Sequence, residues 1–347
     1  MTGAARVEVW TGEAFHDEVR AWSTDRLAEH RLSPTGEWEQ PHARPWSSAI
    51  RIGTDAGPVW FKVNGPGTRH EAALVRLVDE CVPGLVPEVL AVDQDRGWSL
   101  SRDGGPVLRS VLSPEDCWPV WEGLVARYAA AQRTLAGERE RALAVGVEDV
   151  SPAATPALAR LVLTELSSLP ADQGGLTAQE GDRLEAVLPD LEAWCAELAA
   201  SGVPDSVQHD DLHSANVCWT GSVATARIID WGDAVWATPL ATMLGTLNSI
   251  AFHAGVYDGD HPRWTPEVLR VRDAYLEVYD DLVDRATLRR LLVLARRTGC
   301  VTKALSYRRA LRGEPLETHA DWEFPVREWL LGLLDEPDGS DRADGEA

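Results

Sequence analysis

Two acids and an amide near the middle of the chain have a spacing that suits chemistry on a hydroxyl. The segment His209–Val217 places an acid at Asp211 and an amide five residues later, at Asn216. A short apolar run then ends in a second acid, Asp230, fourteen residues after the amide. In this order the first Asp can accept the proton of an attacking hydroxyl, while the Asn and the second Asp hold a Mg²⁺ that bridges nucleotide phosphates.

This pattern resembles the aminoglycoside phosphotransferase family, the small-molecule branch of the protein-kinase-like fold. The family carries His-x-Asp-x-x-x-x-Asn, which here begins at His209, and Ile-Asp-Trp or Ile-Asp-Phe, which here ends at Trp231. The chain departs from the family at Asp210, where glycine is usual, and at Ser214-Ala215, where Pro-Gly is usual. The resemblance implies an α/β (α+β) fold of two lobes. The small lobe would have an antiparallel sheet plus one helix, and the larger lobe would be mostly helical.

The resemblance also implies an activity, which is ATP- or GTP-dependent phosphorylation of a hydroxyl on a small molecule. Asp211 would be the catalytic residue, and Asn216 and Asp230 would hold Mg²⁺. The family's counterpart of His209 braces the catalytic loop and does no proton chemistry. The acceptor could be an antibiotic such as an aminoglycoside, and a sugar or amino-alcohol metabolite is the alternative, because fold and family do not name a substrate.

Lysine is scarce in this chain, which makes each lysine informative. Of 33 basic residues only Lys62 and Lys303 are lysines, a bias typical of a GC-rich genome. Lys62 lies in an alternating strand, where a kinase-like fold carries the lysine that contacts the α- and β-phosphates. Its ammonium is a compact point charge, which the flat guanidinium group of arginine does not reproduce. Lys303 attracts attention for the same reason, although a lysine on a helix usually faces solvent.

Glu71 has two interpretations. It opens a helix whose apolar residues, Leu74 and Leu77 among them, form a buried stripe. The resemblance implies that Glu71 pairs with Lys62. The run from Thr68 to Glu71 also reads as a capping box, in which Glu71 would fold back onto the amide of Thr68. The gap of nine residues between Lys62 and Glu71 is short for a kinase-like fold, so both interpretations stay open.

The other predicted nucleotide contacts are less specific. No G-x-G-x-x-G loop precedes Lys62. The resemblance places the turn over the phosphates at Ser47 and Ser48, although two serines are also common in an ordinary turn. A strand that ends near Ser101 and Arg102 then passes into a glycine turn, where the backbone of a kinase hinge would bond the adenine.

Changes in residue pattern divide the chain into three parts. Residues 1–101 are predicted to be the small nucleotide-binding lobe, and residues 102–334 the helical lobe with the catalytic loop and acceptor site. Residues 335–347 carry six acids against one arginine, which predicts a disordered tail. Within the small lobe, one helix is predicted from about 69 to 81, and strand-like segments lie at 49–53, 58–63, 89–93 and 97–101.

Capping signals place helices in the large lobe. Ser113-Pro114 and Thr265-Pro266 each combine a cap with a proline at the first helical position. Thr177 and Glu180 form a capping box. Two further helices are predicted over 286–312 and 318–334.

Four side chains are candidates for contact with the acceptor. Trp231 and Trp236 flank the end of the strand that carries Asp230. His253 and Tyr257 belong to a polar, aromatic loop in the half of the large lobe where the family binds its acceptor. These four residues complete the predicted site.

Composition narrows the class of protein. A net charge of −22 argues against a nucleic-acid partner, whose phosphates require a basic face, and suits a cationic substrate. No stretch resembles a signal peptide or the ~18 apolar residues of a membrane span. The five cysteines have no metal-site spacing and read as reduced. We expect a monomeric cytoplasmic enzyme with no membrane partner.

Two rival functions follow from the same residues. A pseudokinase would bind nucleotide without turnover, although Lys62, Asp211, Asn216 and Asp230 are all intact. A metallohydrolase would use His209, Asp211 and His213 as ligands. The remaining seven histidines are scattered, with no spacing that would complete a zinc site.

Overall fold

The small lobe is built on a five-stranded antiparallel sheet with the strand order β1-β2-β3-β5-β4. The computed structural model describes residues 6–258, 261–314 and 324–335. The strands of the sheet are β1 Pro34–Ala43, β2 Ser47–Thr54, β3 Val59–Asn64, β4 Val89–Asp93 and β5 Trp98–Arg102. The helices of this lobe are α1 Arg6–Trp10, α2 Glu13–Glu29 and α3 Glu71–Cys81.

The sequence predicts one helix in the small lobe, and the part of this lobe that the structure describes has three. The additional helix α2 buries Phe15, Val19 and Leu27, which lie on one face because they are spaced by four and eight residues. Phe15 packs edge-on against Phe61 and Trp98 of the sheet, with ring centroids 6.3 and 6.0 Å apart. The apolar stripe of α2 is narrow among charged residues, which is why the pattern alone does not reveal it.

Helix α3 joins the two lobes. Its buried residues Leu74, Leu77 and Val78 belong to the main core of the large lobe, together with Leu85 and Tyr128. The predicted stripe is therefore confirmed, and it faces the large lobe. This packing fixes the start of α3, where Glu71 lies, relative to both lobes.

The large lobe is mostly helical, with short strands that carry the functional loops. Its helices are α4 Leu108–Val111, α5 Trp118–Leu135, α6 Arg139–Ala144, α7 Thr155–Ser168, α8 Ala178–Ala200, α9 Thr242–His253, α10 Pro266–Glu277, α11 Arg285–Ala310 and α12 Phe324–Leu331. Its strands are β6 Glu148–Asp149, β7 Ser206–Gln208, β8 Val217–Cys218, β9 Arg227–Ile228, β10 Val235–Ala237, β11 Tyr257–Asp258 and β12 His261–Pro262. Strands β6, β10 and β7 form one sheet, and β8 pairs with β9.

Two of the three capping signals mark helix starts. Thr177 and Glu180 form the full capping box of α8, and Thr265 caps α10 through the amide of Val268. The third prediction is wrong, since α5 begins at Trp118 and not after Ser113. The Ser113 side chain instead bonds Asp116 in a separate turn.

The end of the chain agrees with the predictions where the structure describes it. Helix α11 spans 285–310 against a predicted 286–312, and α12 falls inside the predicted 318–334. Residues 315–323, and the predicted tail from 336 onward, lie outside the described residues. The boundaries at 101 and 334 stay predictions. Among the helices that the structure describes, none combines the length and apolar character needed to cross a membrane.

The lobes also meet away from the chain connection that follows β5. The turn between β3 and α3 runs against the end of α11 so closely that a Cβ at Gly67 would overlap the carbonyl oxygen of Arg309. Nearby, Arg6 of α1 forms an ion pair with Glu314 and donates to the carbonyl of Arg312 at 2.5 Å. A glycine is needed at position 67 because the two backbones are in direct contact.

Candidate active site

The predicted catalytic segment is a loop that begins where β7 ends and is braced by His209. The backbone N–H of His209 donates to the Tyr128 hydroxyl at 2.8 Å, and its ring Nε2 bonds the carbonyl of Ile229 at 2.9 Å. Ring Nδ1 accepts the backbone N–H of Asp211 at 3.2 Å. Burial lowers the pKa of His209 to about 4, so the ring is neutral near pH 7. The histidine therefore ties the loop to the segment that carries Asp230.

Asp211 and Asn216 lie next to each other in this loop. The amide Nδ2 of Asn216 donates to the backbone carbonyl of Asp211 at 2.9 Å and to its Oδ2 at 3.2 Å. His213 Nε2 lies 3.2 Å from the same Oδ2. Burial alone would raise the pKa of Asp211, but the Lys303 ammonium and the contact with His213 hold it well below its usual range. Asp211 is therefore a carboxylate at any physiological pH.

The β8–β9 pairing brings Asp230 to the same place. Val217 pairs with Ile228, and the backbone N–H of Ile229 donates to the carbonyl of Asn216 at 2.9 Å. Asp230 follows with φ +66° and leads into a short 3₁₀ turn, 231–233. Because the two strands are antiparallel neighbours, the amide before one strand and the acid after the other lie side by side.

Lys62, Glu71 and Asp230 form the phosphate-side cluster. The Nζ of Lys62 donates to Glu71 Oε1 at 2.7 Å and to Asp230 Oδ1 at 2.5 Å. Glu71 Oε1 also accepts the backbone N–H of Trp231 at 3.0 Å. Burial would lower the pKa of Lys62, but the carboxylates of Asp230 and Glu71 outweigh it and raise that pKa. The Lys62 ammonium in turn lowers the pKa of Asp230.

The two interpretations of Glu71 are thereby separated. The Thr68 side chain donates to the carbonyl of Trp46 at 3.0 Å, and α3 has no side-chain cap. The capping box predicted at Thr68 and Glu71 does not form. Glu71 points to Lys62 instead, and a gap of nine residues is long enough because Lys62 lies near the end of β3.

A cavity of about 470 Å³ between the lobes collects most of the predicted nucleotide contacts. Its walls are the β2–β3–β5 face of the small lobe above and the β8–β9 pair below. The predicted residues that line it are Ser47, Lys62, Glu71, Ser101, Arg102, Asn216, Asp230 and Trp231. Apolar neighbours, including Val75, Val86 and Ile228, give it the mixed lining of a small-molecule site.

One of the predicted nucleotide contacts needs correction. Ser48 is buried and does not line the cavity; its hydroxyl donates to the carbonyl of His42 at 3.0 Å and accepts from Gln40 at 2.8 Å. Both serines belong to β2, not to the turn, so their side chains point to opposite faces. Arg102 lines the cavity as predicted, but its backbone N–H already donates to the carbonyl of Glu88 at 2.9 Å, and the predicted contact of this segment with adenine stays a prediction.

The two tryptophans predicted to contact the acceptor belong to the core. Trp231 is 0% exposed; its Nε1 donates to the carbonyl of Ile228 at 3.1 Å, and its ring packs edge-on against His209. Trp236 lies in β10 and is buried between β6 and β7. Both residues are close to Asp230 in sequence, but their indole rings are buried in the core of the large lobe.

His253 and Tyr257 lie elsewhere on the large lobe. Together with Phe252, which is 67% exposed, they form an aromatic group at the end of α9. His253 lines a small cavity of about 70 Å³ that also includes Ser214 of the catalytic loop. The group is therefore near the loop but separate from the phosphate-side cluster, and its predicted role in acceptor binding stays a prediction.

A second cavity, of about 210 Å³, opens beside Asp211. It shares Asp230 with the larger cavity, and its lining includes Asp211, Asp233 and Lys303. Lys303 belongs to α11 and is buried, so the expectation of a solvent-facing helix lysine is wrong. The scarcity of lysine was the only sequence signal for it. No local motif pointed to Asp233, which accepts from the Ser306 hydroxyl.

The ligand set of a metallohydrolase does not assemble. Both ring nitrogens of His209 are engaged by backbone groups, which removes one of its three predicted ligands. In the described parts of the chain, no group of three or more His, Cys, Asp or Glu side chains could hold a metal ion. Asp211 and His213 remain as a hydrogen-bonded pair within the loop.

Comparison with known proteins identifies what the arrangement is similar to. A family model described as a phosphotransferase enzyme family matches residues 38–291. No curated protein sequence gives a match. A Plasmodium vivax ethanolamine kinase has a TM-score of 0.59 with 13% identity, over 93% of this chain and 88% of that one.

Two further solved structures have the same architecture. A choline/ethanolamine kinase family protein from Mesorhizobium loti has a TM-score of 0.55 with 20% identity, over 92% of this chain and 99% of that one. A macrolide 2′-phosphotransferase from Brachybacterium faecium has a TM-score of 0.52 with 17% identity, over 84% and 96%. The predicted protein-kinase-like fold is confirmed.

Proposed function

The chain belongs to the phosphotransferase enzyme family and is a small-molecule phosphotransferase; we propose that it moves the terminal phosphoryl group of Mg-ATP or Mg-GTP to an acceptor hydroxyl. The larger cavity would hold the nucleotide, and the acceptor would approach from the smaller one. Asp211 would be the catalytic residue, and Lys62, Asn216 and Asp230 would hold the phosphates and the metal.

The relation between the two cavities is the observation that carries this proposal. Asp230 lines both cavities. Of these two cavities, Lys62 and Asn216 line the larger one, and Asp211 lines the smaller one. A phosphoryl donor and a hydroxyl acceptor need this arrangement, since they must meet at one point from opposite sides. In-line transfer depends mainly on such positioning, because the transition state asks for little covalent help.

Asn216 and Asp230 have the ligand chemistry that Mg²⁺ requires. The Nδ2 of Asn216 is engaged by Asp211, which leaves its amide oxygen as the available donor atom. The Asp230 side chain is 49% exposed, so its carboxylate can be reached from the cavity. Mg²⁺ usually takes one or two such oxygens plus substrate phosphates, and it would neutralise charge on the β- and γ-phosphates.

Asp211 would act on the acceptor. Its carboxylate stays ionised at neutral pH, because the charges beside it lower its pKa. It would orient the hydroxyl and take up its proton as the new P–O bond forms. The bond between the γ-phosphorus and the bridging oxygen breaks in the same step, and the nucleoside diphosphate leaves with Lys62 on its phosphates.

The smaller cavity favours a cationic acceptor. Three acids, Asp211, Asp230 and Asp233, line it against two ammonium groups, that of Lys303 in the lining and that of Lys62 on Asp230, which leaves an excess of negative charge. A site of one dominant sign concentrates ligands of the opposite sign. We therefore rank amino alcohols and aminoglycosides ahead of neutral sugars as acceptors, with antibiotic modification as one outcome of the acceptor screen.

Asp211→Asn tests the assignment. The amide keeps the shape and most loop hydrogen bonds but cannot accept a proton, so we expect kcat to fall by about 10²–10⁴, the usual contribution of general-base catalysis. Nucleotide affinity should change little, because the phosphates would lie on Lys62 and the metal. Nucleoside diphosphate release with a panel of amino alcohols, aminoglycosides, macrolides and sugars, beside calorimetric titration with Mg-nucleotide, measures both.

The outcomes separate the rival functions. If nucleotide binding collapsed together with turnover, Asp211 would be a structural or metal residue. If wild-type protein bound Mg-nucleotide tightly and released no diphosphate with any acceptor, the pseudokinase alternative would be favoured. Stoichiometric zinc in the purified protein would favour the metallohydrolase alternative.

A further inference from the structure

Lys303 is a buried ammonium in the middle of α11. The residue is 7% exposed, and its neighbours Thr302, Ala304 and Leu305 are buried as well. A buried ammonium is costly unless it is paired and hydrogen-bonded. Lys303 meets this condition through the catalytic loop: its Nζ donates to the carbonyl of Asp210 and lies 3.7 Å from Asp210 Oδ2 and 3.5 Å from Asp211 Oδ1.

Asp210 has an unusual backbone for its residue type. Its φ is +64°, in the left-handed region that glycine enters freely and other residues enter at a cost of about 1–2 kcal/mol. Such a conformation persists where the surroundings hold it. Here Lys303 holds the carbonyl, and Gln208 Nε2 donates to the buried carboxylate at 2.9 Å.

The facing helix leaves room for this contact. Gly245 of α9 lies opposite Lys303, and a Cβ there would be 3.4 Å from the Cε of the lysine and 3.4 Å from the carbonyl oxygen of Asp210. Those distances are at the short end of ordinary contact. A small residue on α9, a strained Asp in the loop and one of only two lysines in the chain thus converge on one point.

We propose that Lys303 and Asp210 form a buried pair that positions the catalytic carboxylate of Asp211 for phosphoryl transfer. We call Lys303, Asp210 and Asp211 the loop-side cluster. Lys303 is a positioning residue: it fixes the backbone just before Asp211 and faces Oδ1, while Asn216 holds Oδ2. The inference rests on the proposed function and assigns Lys303 to the transfer step, not to nucleotide binding.

The physical reason is the position of the ammonium. Removing it would leave the acidic side chains of Asp210, Asp211 and Asp233 without their shared ammonium at the point where a charged phosphoryl group must arrive. A carboxylate displaced by about 1 Å can cost about 10²-fold in rate, because transfer depends on alignment. Lys62 cannot compensate, since both of its carboxylate partners are in the phosphate-side cluster.

Lys303→Met tests the proposal, since methionine keeps the length of the side chain and removes the charge. We expect kcat to fall about 10- to 100-fold, with nucleotide Kd little changed and with no rise in the KM of a cationic acceptor, since the charge that is lost is positive. Lys303→Arg should recover part of the loss, because it restores charge with a different geometry. Activity is expressed per nucleotide-binding site, so that a smaller folded fraction does not count as a lower kcat.

Arg296→Met is the matched control. Arg296 is a second buried cation of α11, seven residues before Lys303. Its guanidinium donates to two groups of α9, the Met243 carbonyl at 2.7 Å and Asn248 Oδ1 at 2.9 Å. Its loss should lower Tm without a selective fall in kcat. An equal fall in kcat for Arg296→Met and Lys303→Met would overturn the positioning role, and so would a wild-type kcat in Lys303→Met.

A double variant tests the pairing by a measurement that needs no activity. With Lys303→Met, the Asp210 carboxyl group is buried without its ammonium partner, so Asp210→Gly should remove that unpaired polar group and the backbone strain together and raise Tm relative to Lys303→Met. If the Tm changes of the two single variants added up to the change in the double variant, the pairing would be contradicted. If wild-type protein phosphorylated no acceptor, the proposed function and the kinetic role of Lys303 would both fail, whereas the Tm cycle would still decide whether the pair exists.

Discussion

The two lysines of the chain line the two cavities that share Asp230, and they are held in different ways. Lys62 is clamped by two carboxylates from distant segments, Glu71 and Asp230, at 2.7 and 2.5 Å. Lys303 rests on a backbone carbonyl and approaches carboxylates at 3.5 and 3.7 Å. In the proposed function, the Lys62 ammonium would contact the phosphates of a ligand, whereas the Lys303 ammonium would hold the catalytic loop in place.

The two clusters differ in how well they should tolerate the loss of a contact. A cation that contacts phosphates must keep its charge distribution, because it binds the phosphates directly and shares the Asp230 carboxylate with the metal. A cation that only holds the backbone in place can be replaced in part by any group that donates to the same carbonyl. We therefore expect substitutions in the phosphate-side cluster to have the larger effects.

Asp230→Ala is expected to have the largest effect. The variant removes the carboxylate that would bind Mg²⁺ and leaves Lys62 with Glu71 alone. A hard divalent cation without its carboxylate prefers its own waters, so turnover should be lost at millimolar Mg²⁺. A magnesium titration of the rate measures it. Near-normal activity at ordinary Mg²⁺ would show that Asp230 is not a metal ligand. The phosphate-side cluster would then not be the more sensitive of the two.

Lys62→Arg is expected to be intermediate and sharpens the contrast directly. Arginine keeps the charge but spreads it over a planar fork, so we expect at least about a tenfold loss of kcat/KM, roughly 1.4 kcal/mol of barrier. Lys303→Arg should lose less, because a backbone carbonyl accepts either donor. Steady-state kinetics of the two variants side by side gives the comparison. Equal losses of kcat/KM in the two variants would show that the lysine proposed to contact phosphate and the lysine proposed to position the loop do not differ in this way.

The pair Ser47→Ala and Ser48→Ala is expected to have the smallest effects, of about 1 kcal/mol each. Ser47 lines the larger cavity, so its loss should weaken nucleotide binding and leave Tm unchanged. Ser48 bonds β1 from the other face, so its loss should lower Tm and leave nucleotide Kd unchanged. Titration and thermal unfolding of both variants check the assignment, which the reversed pattern would contradict.

The sequence predicted the phosphate-side cluster well for a physical reason. Lys62, Glu71 and Asp230 each lie at the end of a strand or the start of a helix, and their order follows a pattern that a nucleotide-binding fold must keep. The competing cap for Glu71 could not be rejected from the sequence, because Thr68 turns to Trp46 only in the folded chain.

The sequence could not predict what depends on side-chain direction and long-range packing. Ser48 needed the exact register of β2, and a shift of one residue reverses which face a strand side chain occupies. Trp231 lies beside Asp230 in sequence, but its indole packs against His209 in the core. Lys303 meets Asp210 across 93 positions, and no local periodicity shows which face of a 26-residue helix will be covered.

The contact between Gly67 and the backbone of Arg309 has a consequence for how this molecule opens. Two bodies joined at one flexible point can separate in any direction, whereas two bodies joined at three separate places have little freedom to turn. Here the three attachments are the chain connection after β5, the packing of α3 into the core of the large lobe, and the Gly67 contact beside the ion pair of Arg6 and Glu314. We expect nucleotide to enter and leave with little change in the angle between the lobes.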